Sequence, residues 1–248
     1  MCIRDRVSSE SNKKYESKVQ SRTIQDLPEG DVLIKVYFSS LNYKDALSAI
    51  GNKGVSRNYP HTPGIDAAGI IETSESKNFK VGEEVIVTGY DLGMNTSGGF
   101  SEYIRVPSEW VVKKPEGISL SESMALGTAG LTAGLCVRKL INHKLTPDSG
   151  KLFVTGATGG VGIVAMMLLS KLGFEVVAIT GKLDSQDMLK EYGASEVITR
   201  EDLDQPLISP LQKSIYAGGI DAVGGNVLSN LICATSQRAA IALSLIHI

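Results

Sequence analysis

Between Val154 and Val164 the chain reads VTGATGGVGIV, an apolar run that opens into a cluster of glycines and closes apolar again. A turn from buried strand to helix ordinarily carries polar side chains, whereas Gly156, Gly159, Gly160 and Gly162 strip this one of bulk. The pyrophosphate of a dinucleotide needs that approach, because it rests on the exposed N–H groups and positive dipole end of the helix that follows such a turn. Set against the G-x-G-x-x-G fingerprint, Ala157, Thr158, Gly159, Gly160, Val161 and Gly162 match with alanine in the first place. Gly159 then lets the backbone meet the diphosphate, and Gly162 lets helix and strand pack closely. A tight strand-to-helix turn without a ligand is the alternative.

An NAD-specific site places Asp or Glu about 20 residues further on, where it binds the ribose 2′-hydroxyl. Here the strand EVVAIT ends in Thr180 and runs into Gly181 and Lys182. A hydroxyl, a bare backbone and a cation receive a 2′-phosphate that a carboxylate would repel, so the expected cofactor is NADPH. Arg200, after the strand EVIT, supplies a second cation near the adenine end. The competing readings are that Lys182 is an ordinary solvated lysine, or that Asp184 restores a preference for NADH.

These residues need elements to hold them. From Leu152 the order is strand (Leu152 to Thr155), glycine turn, helix (Val161 to Leu172), strand (Glu175 to Thr180), helix (Ser185 to Tyr192) and strand (Glu196 to Thr199). That alternation predicts an α/β, parallel, doubly wound sheet. Upstream, DVLIKVYFS, GIDAAGIIE, EEVIVTG and FSEYIRVP are short, rich in Val and Ile, and separated by turn residues. They predict a small β-barrel-like unit reaching to about Ile118. SESMALGTAGLTAGLCVRKLI follows with helical period, and Ser121 is the expected N-cap ahead of Glu122.

The 248 residues are 42% hydrophobic and 21% charged, with a net charge of −2, which is a globular composition without the basic footprint of nucleic-acid binding. Cys2, Cys136 and Cys233 are odd in number and far apart, so neither a disulfide framework nor a CxxC metal knuckle is expected. No apolar run approaches the roughly 18 residues of a membrane span, and MCIRDR lacks the apolar core of a secretory signal. The expectation is a cytoplasmic protein with small-molecule partners, binding neither membrane nor nucleic acid.

The segments SSLNYKDA, PHTPGIDAAG, GGFSEY, GTAGLTA, VTGATGGVG and EYGAS occur in this order. With them the chain resembles the zinc-free medium-chain dehydrogenase/reductases, and most of all the quinone-oxidoreductase-like group that includes NADPH-dependent acryloyl-CoA reductases. The resemblance runs from about Asp26 to Leu243. It implies a GroES-like catalytic domain over residues 8–120 and a partial NADP-binding Rossmann domain over 121–243. Zinc dehydrogenases of that superfamily carry Gly-His-Glu where this chain has Gly64, Ile65 and Asp66, and a liganding cysteine near Ser39 and Ser40. Those ligands are replaced, so direct hydride transfer to an activated alkene or a quinone is expected rather than zinc-assisted alcohol oxidation.

The resemblance also places Tyr43 against the cofactor. Its hydroxyl, with an ordinary pKa of about 10, can donate a hydrogen bond to the oxygen on which negative charge develops. A tyrosine that merely packs the domain junction is the alternative. Asn42 and Asp45 are expected to organise the turn around it, and Gly127 and Thr128 to lie beside the nicotinamide or only to permit close helix packing. The substrate is an enoyl-CoA, acryloyl-CoA foremost, or a quinone.

Residues 1–7 and 244–248 read as non-native ends, and the opening strand of the relatives is expected to be missing, as is their C-terminal continuation. An incomplete sheet leaves an exposed edge, so the chain by itself is expected to be poorly stable and inactive. Family members commonly pair through Rossmann-domain edges, which implies a homodimer at full length.

Overall fold

A computed structural model describes residues 2–11, 14–207 and 212–244, with side chains from Tyr15 onward. Two compact units divide at Thr128 and Ala129, whereas the resemblance implied a boundary after residue 120.

In the first unit β1 (Cys2–Ser11) and β2 (Lys14–Thr23) form an antiparallel hairpin, with Cys2 opposite Thr23. This corrects the expectation that no opening strand is present. A polar run such as RDRVSSES gives no alternating apolar signal, yet strand pairing needs only backbone donors and acceptors. Next come β3 (Val32–Phe38), α1 (Tyr43–Ala49), β4 (Asp66–Ser74), β5 (Glu84–Thr88), β6 (Tyr103–Val106) and β7 (Val111–Lys113). The last five strands make an antiparallel sheet in the order β6-β3-β4-β5-β7. Register shifts between Leu33 and Ile34 and between Val36 and Phe38 bend β3. Val32, Ile34, Ala67, Ile71, Val85, Val87, Ile104 and Val106 bury the inner face.

The long α2 (Leu120–Asn142) begins earlier than expected. Ser119, not Ser121, caps it. The Ser119 hydroxyl accepts the Glu122 N–H at 3.2 Å, and a Glu122 carboxylate oxygen accepts the Ser119 N–H at 2.7 Å. This reciprocal box requires a spacing of three, which Ser121 and Glu122 lack. By length and composition α2 is apolar enough to cross a membrane, contrary to the sequence expectation. Its stripe of Ala133, Val137 and Leu140 is buried in the core of the second unit, as in the core helix of a globular domain.

The second unit contains β8 (Leu152–Thr155), α3 (Gly160–Lys171), β9 (Val176–Thr180), α4 (Gln186–Glu191), β10 (Glu196–Thr199), β11 (Tyr216–Asp221), α5 (Gly225–Cys233) and β12 (Thr235–Leu243). All the strands run parallel, in the order β10-β9-β8-β11-β12. Every residue of β8 is buried, as the centre of a doubly covered sheet requires. Leu152 and Val154 pack with Leu140, Met166 and Leu169 on one face. Phe153 packs on the other with Val177, Ile179, Val227 and Leu231, its ring 5.3 Å from that of Tyr216. Each such side chain contributes roughly 1.5–3 kcal/mol by leaving water. The expected non-native end over 244–248 lies, beyond Ser244, outside the described residues.

Candidate functional site

Strand order in the parallel sheet switches between β8 and β11, because the chain runs outward to β10 on one side and to β12 on the other. In open α/β sheets ligands bind at that switch point, beyond the carboxyl ends of the strands. A cleft of about 460 Å³ lies there. It brings together Thr158, Gly159, Gly160, Val161, Thr180, Gly181, Lys182 and Arg200, with Ala222 and Val223 entering from the end of β11.

Gly156 leaves β8 with φ of +60°, a conformation that a β-carbon would strain. Gly159 then stands at the N-cap of α3, and no side chain caps the helix. The first N–H groups of a helix have no partners within it, so those of the α3 start are available to an anion. A β-carbon on Gly162 would lie 2.8 Å from the Ala157 α-carbon and overlap the Gly156 carbonyl. Close packing of α3 on the turn therefore requires glycine there.

At the tip of β9 the Thr180 hydroxyl accepts the Lys182 N–H at 3.0 Å and lies 3.4 Å from the Thr158 hydroxyl. The Arg200 N–H donates to the Thr180 carbonyl at 2.8 Å, and its guanidinium covers Gly181, where a β-carbon would stand 3.3 Å from Nη2. Two exposed cations thus share one end of the cleft. Asp184 is exposed in the following 3-10 turn and does not line the cleft.

Sequence reasoning missed what braces the switch point. Asp221, fully buried at the end of β11, accepts the Thr155 hydroxyl proton at 2.7 Å and the Gly224 N–H at 2.8 Å. Thr155 in turn accepts the Ala222 N–H at 2.8 Å, which ties the tips of β8 and β11 together. The available signal was IDAVGGNVL, a second apolar run breaking into paired glycines ahead of a helix.

Tyr43 and Thr128 do not line this cleft; both belong to the first unit. Tyr43 opens α1 and is 64% exposed. Asp45 fixes that helix start, its carboxylate accepting the Asn42 N–H at 2.8 Å and the Ile65 N–H at 2.9 Å. Burial pushes the Asp45 carboxyl above its ordinary range, opposed by those same donors. His61 is also buried, its Nε2 2.6 Å from the Ser48 hydroxyl, and desolvation holds its pKa below the usual value.

The fully buried Asp66 gathers residues from three parts of this unit. Its Oδ1 accepts the Thr128 hydroxyl proton at 2.6 Å. Its Oδ2 accepts the Thr128 N–H at 2.9 Å, an Asn42 Nδ2–H at 2.9 Å and the Ser40 hydroxyl proton. Gly127 admits the carboxylate, since a β-carbon there would lie 2.7 Å from Oδ2, and its φ of +50° and ψ of −153° interrupt α2. Ser40 and Asp66, at or near the positions where the resemblance implied lost zinc ligands, are here joined by a hydrogen bond. No group of three or more His, Cys, Asp or Glu side chains suited to a metal ion is found among the described residues.

Residues 28–116 match the alcohol dehydrogenase GroES-like domain. The acrylyl-CoA reductase AcuI of Ruegeria pomeroyi is 41% identical over 94% of this chain and 71% of its own length. YhfP of Bacillus subtilis, which bears a quinone-oxidoreductase name, is 45% identical over 91% of this chain and 68% of its own. The YhfP crystal structure with NAD bound superposes with a TM-score of 0.94, covering 99% of this chain and 75% of that one. Escherichia coli YhdH with bound NADPH, 41% identical, gives 0.94 over 97% of this chain and 74% of that one. With a shared architecture of a GroES-like unit and a parallel Rossmann-type sheet, and with identity at this level over most of its length, the chain belongs to the medium-chain dehydrogenase/reductase family, in the zinc-independent group of acrylyl-CoA reductases and quinone oxidoreductases.

Proposed function

We propose that this chain is part of an NADPH-dependent reductase of an activated alkene, with acryloyl-CoA as substrate and propanoyl-CoA as product. The observation that carries the cofactor is the cleft itself, with an uncapped helix start at one end and Lys182 beside Arg200 at the other. The donor chemistry fits the group: amides for a diphosphate, and two cations without a lining carboxylate for a 2′-phosphate. When bound, NADPH supplies a hydride to the β-carbon of the acceptor.

In this reading the backbone of Gly159, Gly160 and Val161 holds the diphosphate. Thr158, Thr180 and Gly181 shape the adenosine ribose site, and Lys182 with Arg200 holds the 2′-phosphate. Tyr43 is the catalytic donor, directing its hydroxyl to the thioester oxygen as negative charge develops there. Thr128 touches the nicotinamide portion. The acryloyl-CoA assignment draws on the likeness to AcuI, and a quinone is the alternative acceptor suggested by the name of YhfP. The expected setting is the cytoplasm, with a homodimer at full length.

The test measures NADPH and NADH consumption by the full-length protein with acryloyl-CoA and with a simple quinone. With acryloyl-CoA, consumption of NADPH roughly tenfold faster than of NADH is expected, the scale of one charge-assisted contact, and slower consumption of NADPH with the quinone. The NAD in the YhfP structure makes the nucleotide comparison the more searching arm. Equal use of NADH removes the assigned role of Lys182 and Arg200, and preference for the quinone replaces the substrate.

A further inference from the structure

The cleft at the carboxyl edge of the parallel sheet presents its groups in a fixed sequence. Arg200 follows β10, Thr180 to Lys182 end and follow β9, the glycine turn follows β8, and Ala222 and Val223 follow β11. Neighbouring strands are about 4.8 Å apart, so the cations and the open amides of α3 stand one to two strand spacings from each other. One nucleoside covers that span. The cations occupy one side of the cleft, and the far side, at Ala222 and Val223, carries no charged side chain.

This sequence of groups specifies an adenosine 5′-diphosphate with a phosphate ester on its ribose, and leaves open which ribose hydroxyl carries the ester. Both cationic residues are tied to Thr180 by their backbones alone, Lys182 through its N–H to the hydroxyl at 3.0 Å and Arg200 through its N–H to the carbonyl at 2.8 Å. Both residues are exposed. An ammonium on a flexible four-carbon stem follows a phosphate from one ribose carbon to the next, and a guanidinium presents five donors across the same gap. Discrimination requires a carboxylate that grips the free hydroxyl. None lines the cleft.

Coenzyme A is built from those same parts: adenosine, a 5′-diphosphate and a 3′-phosphate, continued by an uncharged pantetheine chain. We propose that the cleft also takes the 3′-phosphoadenosine diphosphate of coenzyme A, so that the free coenzyme and its thioesters exclude NADPH. The inference rests on the reading that this cleft is the NADPH site, and is independent of which acceptor is reduced. Nucleotide loading is then governed by the ratio of coenzyme A to NADPH, and a rise in that ratio acts as a brake on the reductase.

The test follows displacement of NADPH from the whole chain by its fluorescence, using free coenzyme A and dephospho-coenzyme A, which lacks only the 3′-phosphate. The free coenzyme has no alkene to reduce, so binding alone is read. Full displacement is expected, with the apparent NADPH dissociation constant rising linearly with coenzyme A. Dephospho-coenzyme A should bind about tenfold more weakly, the scale of charge-assisted contacts to one phosphate. Lys182→Ala and Arg200→Ala should each weaken NADPH and coenzyme A by similar factors of about tenfold and leave dephospho-coenzyme A within about twofold of wild type. No displacement by coenzyme A at about a hundredfold excess over the NADPH dissociation constant overturns the proposal, as does equal displacement by the two coenzymes. If the two variants lose affinity for NADPH and neither loses affinity for coenzyme A, this inference fails and the cofactor reading stands. If the wild-type chain does not bind NADPH, or neither variant weakens it, both fail together.

Discussion

The two units hold buried carboxylates to different ends. Asp221 belongs to a set of backbone and side-chain ties at the strand tips, and it braces a cleft whose ligand-facing groups are backbone amides and exposed cations. Asp66 draws the polar side chains of its neighbours into itself, so that Ser40, Asn42 and Thr128 all donate to one carboxylate. One region leaves its donors open for a ligand and the other orients them in advance. A binding site for a charged nucleotide wants open donors, whereas a buried carboxylate wants its lone pairs met.

The comparison is broken most severely by Asp66→Ala, which leaves several part-buried donors without an acceptor. A loss of about 3 kcal/mol is expected, the scale of more than one orphaned buried group. Chemical denaturation checks it, and a loss under about 1 kcal/mol would mean that the donors find other partners. Gly162→Val comes next. Its side chain has no room against the Gly156 carbonyl, so about 1–3 kcal/mol of stability should go, together with nucleotide binding. Unchanged titration by NADPH would show that α3 can withdraw without harming the cleft.

Lys182→Ala and Arg200→Ala sharpen the contrast, because these exposed cations are expected to matter to the ligand alone. Each should weaken NADPH about tenfold, leave NADH unchanged, and alter stability by no more than about 0.5 kcal/mol. Parallel titrations with the two nucleotides decide, and an equal loss for both would place the cations elsewhere on the cofactor. The smallest effect is a slope. The folded pKa of His61 lies below its ordinary 6.5, so the unfolded chain binds more protons and the contribution is fully present above about pH 6.5, then lost as pH falls. His61→Gln should flatten the stability profile between about pH 7 and 5, the window below that ordinary value. A profile of unchanged slope would refute the assignment.

The glycine turn was legible because its cause is local. Leu152–Thr155 and Glu196–Thr199 emerged with the bounds read from the sequence, and the cleft residues from Thr158 to Arg200 follow consecutive strand ends of one sheet. Ser119 was overlooked as a cap because the apolar period drew the helix start too far along, although the S-x-x-E spacing was present. The elements β11, α5 and β12 were not assigned: YAGGID is a strand whose glycines suggest a break, and only burial between β8 and β12 makes it continuous. The polar opening hairpin was missed for want of apolar alternation.

What the residues alone established was the pair of folding patterns, the glycine-bared turn after β8, and the cation in place of an acid after β9. Each depends on neighbours a few positions apart, where backbone geometry and side-chain size act directly. The Asp66 hub could be known only once the chain had folded, because its partners come from 24, 26 and 62 positions away. No periodicity links such residues. They meet because β4, the start of α1 and the break in α2 converge, and a buried carboxylate then takes whichever donors the packing delivers.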